Sequence, residues 1–343
     1  MERIVKEDDL VDSVSAKESR ETPILLDVTI RDGGYLNDWA FTETQMDRVV
    51  EKALGLCLDF VEVGYIDDRP GLHAAASMKP GSLEKWQGLR EGIGLAVMCR
   101  PTVENAESVV SSRKGLVDLI RIPVDLMRVD LASKLAKVCE RNQVPYAINL
   151  TNISCYDSDW IRSCFSKLPD SAIVVYIADS RGNLTPDRIP SIYETLRSVR
   201  NATFGFHAHN NLGLAIANAE AALSNGVDWI DGSILGIGLG GRNLDILHAI
   251  QIANQKRPNP PIQGFDEEIY ESDFGVPAPG PEMELFRLTG MRNFKMEWAV
   301  MMARVLGQDE AISIIGSLPL KPMFQPDEMR PYLSDETWRK LTW

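Results

Sequence analysis

The sequence predicts an α/β fold, a (β/α)₈ barrel carrying a small C-terminal helical appendage, and three features of the chain predict it. Eight short apolar stretches recur: ILLDVTI (24–30), FVEVGYI (60–66), GLAVMCR (94–100), DLIRIPV (118–124), PYAINLT (145–151), AIVVYIADS (172–180), FGFHAHN (204–210) and DWIDGSIL (228–235). Each has the length and near-continuous hydrophobicity of a strand buried on both faces, as parallel strands are. Successive stretches start 24 to 36 residues apart, which leaves room for a loop, a helix of about three turns and a return. The pattern stops after Gln255, where KRPNPPIQG puts prolines and turn formers in place of a ninth strand. A doubly wound open sheet is the rival arrangement of the same units.

In chain order, residues 1–22 carry charges of both signs and no apolar run. They predict a flexible arm rather than a signal peptide, and with it a cytoplasmic protein. Residues 23–255 make the barrel. Its first helix opens on a T-x-x-Q capping box, Thr42 and Gln45, with Phe41 and Met46 placed as a hydrophobic staple and Met46, Val49, Val50, Ala53 and Leu54 on one face. Helices over 212–224 and 244–254 follow strands seven and eight by the same spacing. Residues 256–343 form the appendage, helical over 281–316, as a lid or dimer contact.

Composition narrows the function. With 44% hydrophobic residues the chain can bury a large core, and no apolar run approaches the roughly 20 residues that span a bilayer. A net charge of -13 repels a phosphate backbone, which excludes nucleic acid and, with the missing span, a membrane as partner. Five cysteines without a C-x-x-C pair read as reduced thiols.

The chemistry starts at strand seven. In a strand, residues two apart point the same way, so His207 and His209 present two imidazoles on one face near the strand's C-terminal end. They are two of only four histidines, and pairing favours metal ligation over two separately satisfied core histidines. A barrel places further ligands at the ends of other strands. Asp32 follows strand one in TIRDGGY, where Gly33 and Gly34 predict a sharp turn, with Arg31 beside it as a fixed cation. A surface ion pair or a turn cap is the plainer reading of R-D-G. Asn243 follows strand eight in GSILGIGLGGRN, where its amide oxygen would face the histidines. That loop also reads as G-x-G-x-x-G (Gly236, Gly238, Gly241), but no acidic strand follows it as a dinucleotide site requires.

No assigned strand contains lysine, and there is no G-x-S-x-G elbow. The electrophile is therefore a metal ion rather than a lysine iminium. A carboxylate, imidazole and amide set suits Mg²⁺ or Mn²⁺, with Co²⁺ or Zn²⁺ as alternatives.

These residues resemble the DRE-TIM metallolyases over roughly 23–255. The resemblance rests on DVTIRDGGYLNDWAF, VEVGY, ADSRGNLTP, FHAHNNLGLAIANAEAALSNGVDWID and GIGLGGRN, matching in barrel order. It implies that Asp32, His207 and His209 bind the divalent metal, that Asn243 adds a ligand and that Arg31 stabilises an enolate. The opening segment looks most like the 4-hydroxy-2-oxovalerate aldolase-type members, except that Tyr35 stands where those aldolases have a histidine. Leu239-Gly240 likewise replaces the Glu-Arg of acyl-CoA-condensing members.

The expected activity is cleavage or formation of a 4-hydroxy-2-oxo acid, with a 2-oxo acid and an aldehyde as substrates and a homodimer as the assembly. Condensation of an acyl-CoA with a 2-oxo acid is one alternative, and a non-catalytic binding barrel another. Tyr35 is the positional candidate for proton transfer, and His73, in the loop after strand two, is a second. Asp179, at the end of strand six, is a candidate to orient substrate, with capping of its own turn as the alternative.

Overall fold

The computed structural model describes residues 22–89, 91–253, 274–276, 279–321 and 323–341. Eight parallel strands close into a barrel in chain order: β1 (Ile24–Asp27), β2 (Phe60–Tyr65), β3 (Gly94–Met98), β4 (Leu119–Asp125), β5 (Tyr146–Thr151), β6 (Val174–Ala178), β7 (Phe204–His207) and β8 (Trp229–Gly232). β1 closes on β8 with Ile24 opposite Trp229 and Asp27 opposite Gly232. Each predicted stretch supplies one strand, and closure displaces the open-sheet rival.

Helices α1 (Thr29–Asn37) and α2 (Glu43–Gly55) follow β1. After the later strands come α3 (Pro80–Glu84), α4 (Ala106–Ser111), α5 (Val129–Asn142), α6 (Ser158–Phe165), α7 (Ile189–Val199), α8 (Ala215–Ser224) and α9 (Ile246–Ala253). α2 carries the expected box: the Gln45 N–H donates to Thr42 Oγ1 at 3.2 Å and the Thr42 N–H to Gln45 Oε1 at 2.8 Å. Met46, Val49, Val50 and Ala53 are its buried face.

One local expectation is corrected. The first strand ends at Asp27 rather than at residue 30, and R-D-G-G lies inside α1 instead of in a turn. Buried Asp27 ends the strand by accepting the Thr29 N–H at 2.9 Å and the Thr29 hydroxyl at 2.7 Å. A glycine in a helix costs about 1 kcal/mol against alanine. Close packing offsets it here, because a Cβ on Gly33 would come within 2.5 Å of Ile237 Cγ2 in the loop after β8.

Two layers fill the barrel. Toward the N-terminal strand ends, Leu26, Phe60, Leu119, Ala147, Tyr176 and Trp229 form an apolar interior. Two residues further along their strands stand Glu62, Arg121, Asn149 and Asp231, all buried. Period two puts these polar side chains on the same inner face, one layer nearer the C-terminal mouth. A larger apolar core lies between the strands and the surrounding helices.

Beyond the barrel, α10 (Glu282–Arg292), α11 (Met296–Leu306), α12 (Gln308–Ser317), α13 (Pro326–Met329) and α14 (Asp335–Lys340) pack around Leu285, Phe294, Ala299, Met302 and Ile315. α10 and the start of α11 sit over the mouth, where Asn211 Nδ2 donates to the Phe286 carbonyl and to Thr289 Oγ1, both at 3.1 Å. The KRPNPPIQG segment, the boundary expected at 255/256 and the N-terminal arm up to residue 21 lie outside the described residues. Among the described residues no helix is long and apolar enough to cross a membrane.

Candidate active site

At the C-terminal mouth, Asp32 from α1, His207 at the end of β7 and His209 just beyond it are all buried. One ligand atom from each lies within 4.8 Å of the others. β7 stops at His207, and an isolated antiparallel bridge to Asn243 holds His209 in place. The two rings stand perpendicular with centroids 4.9 Å apart. His209 Nδ1 lies 3.1 Å from the Leu239 carbonyl. With the N–H on that nitrogen, Nε2 is the free lone pair.

Asn243 donates from Nδ2 to Asp32 Oδ2 at 2.8 Å, while its Oδ1 is buried without a donor, as is His207 Nε2. Buried acceptors rarely go unmatched. Here the clustering of a carboxylate with two imidazoles, and an amide bonded to that carboxylate, fits a divalent cation, and the oxygen and nitrogen donor set suits the ions expected. The glycine-rich loop serves the same centre. A Cβ on Gly238 would fall 2.2 Å from Asn243 Nδ2 and 2.6 Å from Asp32 Oδ2, and the Leu239 N–H donates to that carboxylate at 3.1 Å. Its glycines admit close approach to a carboxylate rather than to a pyrophosphate.

A chain of buried charges runs beneath the cluster. Arg31 donates to Asp32 through Nη1 and to Glu62 Oε2 through Nε at 2.7 Å. Arg121 bonds the same Glu62 oxygen at 3.0 Å and Asp231 Oδ2 at 2.5 Å. Asp231 Oδ2 in turn lies 3.1 Å from His207 Nδ1, close enough for an ion pair but without hydrogen-bond alignment. Alternating sign along the chain offsets the desolvation of each member.

Burial would raise the Asp32 carboxyl, but Arg31, His209, His207 and the Asn243 amide outweigh it and hold the group well below the usual carboxylate range. For Asp231, burial is likewise outweighed by Arg121 and His207. Burial pushes His209 down to about 4 despite the attraction of Asp32, so its imidazole is neutral as a ligand must be.

The cluster opens into a cavity of about 340 Å³, lined on the barrel side by Arg31, Tyr65, Arg100 and Asn149 and on the other by Lys295, Met296 and Glu297. Tyr35 and Tyr65 meet there, hydroxyl to hydroxyl, at 3.1 Å. An edge of the Tyr35 residue reaches the surface, yet its hydroxyl is enclosed. Burial, the neighbouring Tyr65 and Glu297 push it well above the ordinary phenol range, against Arg100.

Five of the eight residues singled out in the sequence thus come together, Arg31, Asp32, His207, His209 and Asn243, with Tyr35 at the rim of the same cavity making a sixth. Two further placements differ from expectation. His73 is exposed ahead of a short 3-10 turn and does not line the cavity, so its position after β2 does not carry it to the mouth. Asp179 is fully buried and turned into its own loop, where Oδ1 accepts the N–H groups of Asn183 at 3.0 Å and Leu184 at 3.2 Å. It caps a turn while Ala178 and Ser180 on either side face the cavity. The sequence reading missed Glu62, Arg121 and Asp231, whose signal is a charge in the interior of each of three short strands.

Residues 161–262 match the HMGL-like family model. The chain is 27% identical over 231 residues to an oxaloacetate decarboxylase of Mycobacterium tuberculosis, covering 65% of this chain and 68% of that protein. It is 26% identical over 240 residues to a 4-hydroxy-2-oxovalerate aldolase of Thermus thermophilus, covering 66% and 68%. A solved N-terminal domain from Bacteroides vulgatus, assigned by description as that of an aldolase, superposes with a TM-score of 0.67 at 25% identity, over 86% of this chain and 97% of that one. The carboxyl transferase domain of Rhizobium etli pyruvate carboxylase shares the fold at a TM-score of 0.60 and 16% identity, over 90% of this chain and 62% of that one. The motif resemblance is thus joined by an HMGL-like domain match over residues 161–262 and by similarity to oxaloacetate decarboxylase and 4-hydroxy-2-oxovalerate aldolases.

Proposed function

We propose that this chain is a divalent-metal-dependent carbon-carbon lyase that breaks the C3–C4 bond of a 2-oxo acid by way of an enolate. The observation that carries the reading is the convergence of Asp32, His207 and His209, with the Asn243 amide bonded to Asp32 and the Arg31 guanidinium beside it. Asp32, His207, His209 and Asn243 would hold the ion, Mn²⁺ or Mg²⁺ by donor type, and it supplies Lewis acidity toward the substrate carbonyl.

The chain's own groups do the rest. Among the described residues Arg31 Nη2 has no partner, while Nε and Nη1 are fixed by Glu62 and Asp32. Nη2 is therefore preorganised to face the oxygen on which charge develops as the C3–C4 electrons move into the enolate. The phenol of Tyr35 then delivers a proton to C3. The roof of Lys295, Met296 and Glu297 limits water in the cavity.

One specific observation favours loss of a C4 carboxylate as carbon dioxide over aldol cleavage. Aldol cleavage needs a base to take the proton of a 4-hydroxyl, whereas the Tyr35 hydroxyl is bound to Tyr65 and held protonated. Decarboxylation needs only the later return of a proton, which a phenol can give. The decarboxylase relative from Mycobacterium tuberculosis supports the same choice.

The test is incubation of Mn²⁺-loaded protein with pyruvate in D₂O, following the methyl signal by NMR. Deuteration that is lost in Asp32→Ala is expected. Absence of exchange in the wild type under all metals tried would remove the enolate reading.

A further inference from the structure

Asp38 and Trp39, directly after α1, both sit in the left-handed region of the backbone, with φ of 53° and 58°. Two such residues in succession without a glycine are uncommon, and the strain persists only where the surroundings hold it. Here the end of the helix holds it: the N–H groups of both residues donate to the Gly34 carbonyl, that of Trp39 at 2.8 Å. This turn folds the indole back along α1, where its Nε1–H donates to the Arg31 carbonyl at 2.9 Å.

The half-buried indole meets two phenol rings edge to face. Its centroid lies 4.6 Å from that of Tyr35, with the planes at 62°, and 5.5 Å from that of Tyr65, at 87°. Such contacts are attractive and fix the relative tilt of the rings. Tyr35 and Tyr65 line the cavity and share a hydroxyl contact of 3.1 Å, whereas Trp39 stands behind them, outside the cavity wall. Gly34 completes the arrangement. A Cβ there would have three indole atoms as its nearest neighbours, at 2.0 to 2.5 Å. The second glycine of R-D-G-G is thus the space that Trp39 occupies, as the first is the space for Ile237. A proton donor misplaced by about 1 Å can lose 10²-fold in rate, so the support behind a phenol matters as much as the phenol.

We infer that Trp39 is a positioning residue, whose indole fixes the Tyr35–Tyr65 hydroxyl pair and so the direction from which a proton reaches the substrate, without touching substrate or metal. The inference rests on the proposed role of Tyr35 as proton donor. The strained turn at Asp38 and Trp39 is what carries the indole back to that pair.

The experiment compares the wild-type full chain with Trp39→Ala, Trp39→Phe and Gly34→Ala, each titrated with Mn²⁺ to show that it is folded. In protein labelled with tyrosine carrying ¹³C at Cζ, the Tyr35 signal, identified by its loss in Tyr35→Phe, is followed against pH without substrate. Burial, Tyr65 and Glu297 hold that hydroxyl well above the ordinary phenol range in the wild type, against Arg100. Trp39→Ala and Gly34→Ala are expected to bring its midpoint down by about one pH unit or more, toward the ordinary phenol value of about 10. Both should slow pyruvate deuteration by about 10- to 100-fold with Mn²⁺ affinity unchanged. Trp39→Phe keeps a ring against Tyr35 and should restore most of both properties. Gly34→Ala added to Trp39→Ala should cause no further loss, because the nearest atoms to the new methyl belong to the indole. A Tyr35 midpoint unmoved in Trp39→Ala, loss of Mn²⁺ affinity together with deuteration, or a Gly34→Ala loss that adds to that of Trp39→Ala would overturn the proposal. A moved midpoint in a protein that never deuterates pyruvate would leave Trp39 as the support of Tyr35 and remove the enolate reading; deuteration as fast in Trp39→Ala as in the wild type would do the reverse.

Discussion

Asp231 Oδ2 stands between Arg121 Nη2 at 2.5 Å and His207 Nδ1 at 3.1 Å, and so ties the barrel's interior charges to an imidazole of the candidate metal centre. A partner behind a ligating histidine sets its ring orientation and basicity and typically contributes about 10- to 100-fold to metal affinity. Asp231→Asn is expected to weaken Mn²⁺ binding by that factor, read by electron paramagnetic resonance titration. The same change leaves Arg121 with Glu62 alone and should lower unfolding stability by roughly 3 kcal/mol. Unaltered Mn²⁺ affinity in the folded variant would detach His207 from this network.

Arg31→Lys keeps a positive charge but not the planar fork that binds Glu62 and Asp32 while leaving Nη2 toward the cavity. Turnover is expected to fall by about 10²- to 10³-fold, the usual effect of removing a preorganised donor from a developing oxyanion. Mn²⁺ binding should persist, since Asp32, His207, His209 and Asn243 are untouched. A parallel loss of metal and activity would show that Arg31 serves the centre's assembly instead.

The enclosed Tyr35 hydroxyl gives a sign to the pH dependence. Its pKa is displaced upward, so as an acid returning a proton to C3 it keeps that proton through neutral and mildly alkaline pH. Decarboxylation should therefore stay level across that range. Exchange of pyruvate protons runs in the opposite direction, needs the phenolate, and should rise with pH without levelling near neutrality. Tyr35→Phe should slow both by about 100-fold or more, as followed by carbon dioxide release and by NMR.

Asp179 offers a stability test. Burial pushes its carboxyl up to about 7 against the backbone N–H groups that bind it, whereas the unfolded chain has it near the ordinary 3.8. The folded state thus binds the extra proton, and the stability this group contributes is lost as pH rises from about 4 to about 7. Asp179→Asn keeps an oxygen for Asn183 and Leu184. It should be more stable than wild type at alkaline pH, by on the order of 2 kcal/mol, and lose that advantage in acid. Urea unfolding across pH measures it. Retained turnover in the same variant would assign Asp179 to its turn, and a large loss would restore the substrate role.

The barrel was legible because each strand is a short apolar run and each return needs a fixed length of chain, both local properties. The two histidines were legible because period two places them on one face, and Asp32 and Asn243 because barrel closure brings strand ends together. Interior charges were not. Glu62 and Arg121 are 59 residues apart and Arg121 and Asp231 are 110 apart, so each appears in sequence as a charge in the interior of a short strand. R-D-G-G misled because its glycines usually mark a turn, while here Ile237, more than two hundred residues away, decides what fits against Gly33. Position at a strand end likewise says nothing of orientation, which is why Asp179 faces its own loop and His73 faces solvent.

Met296, which roofs the cleft and contacts Asn211 Nδ2 through its sulfur at 3.0 Å, comes 85 residues later in the chain. During synthesis the eight strands leave the ribosome long before that roof exists. The cleft's roof is therefore synthesised after every strand of the mouth it covers, and the enclosed chamber exists only once the helices beyond the barrel have docked.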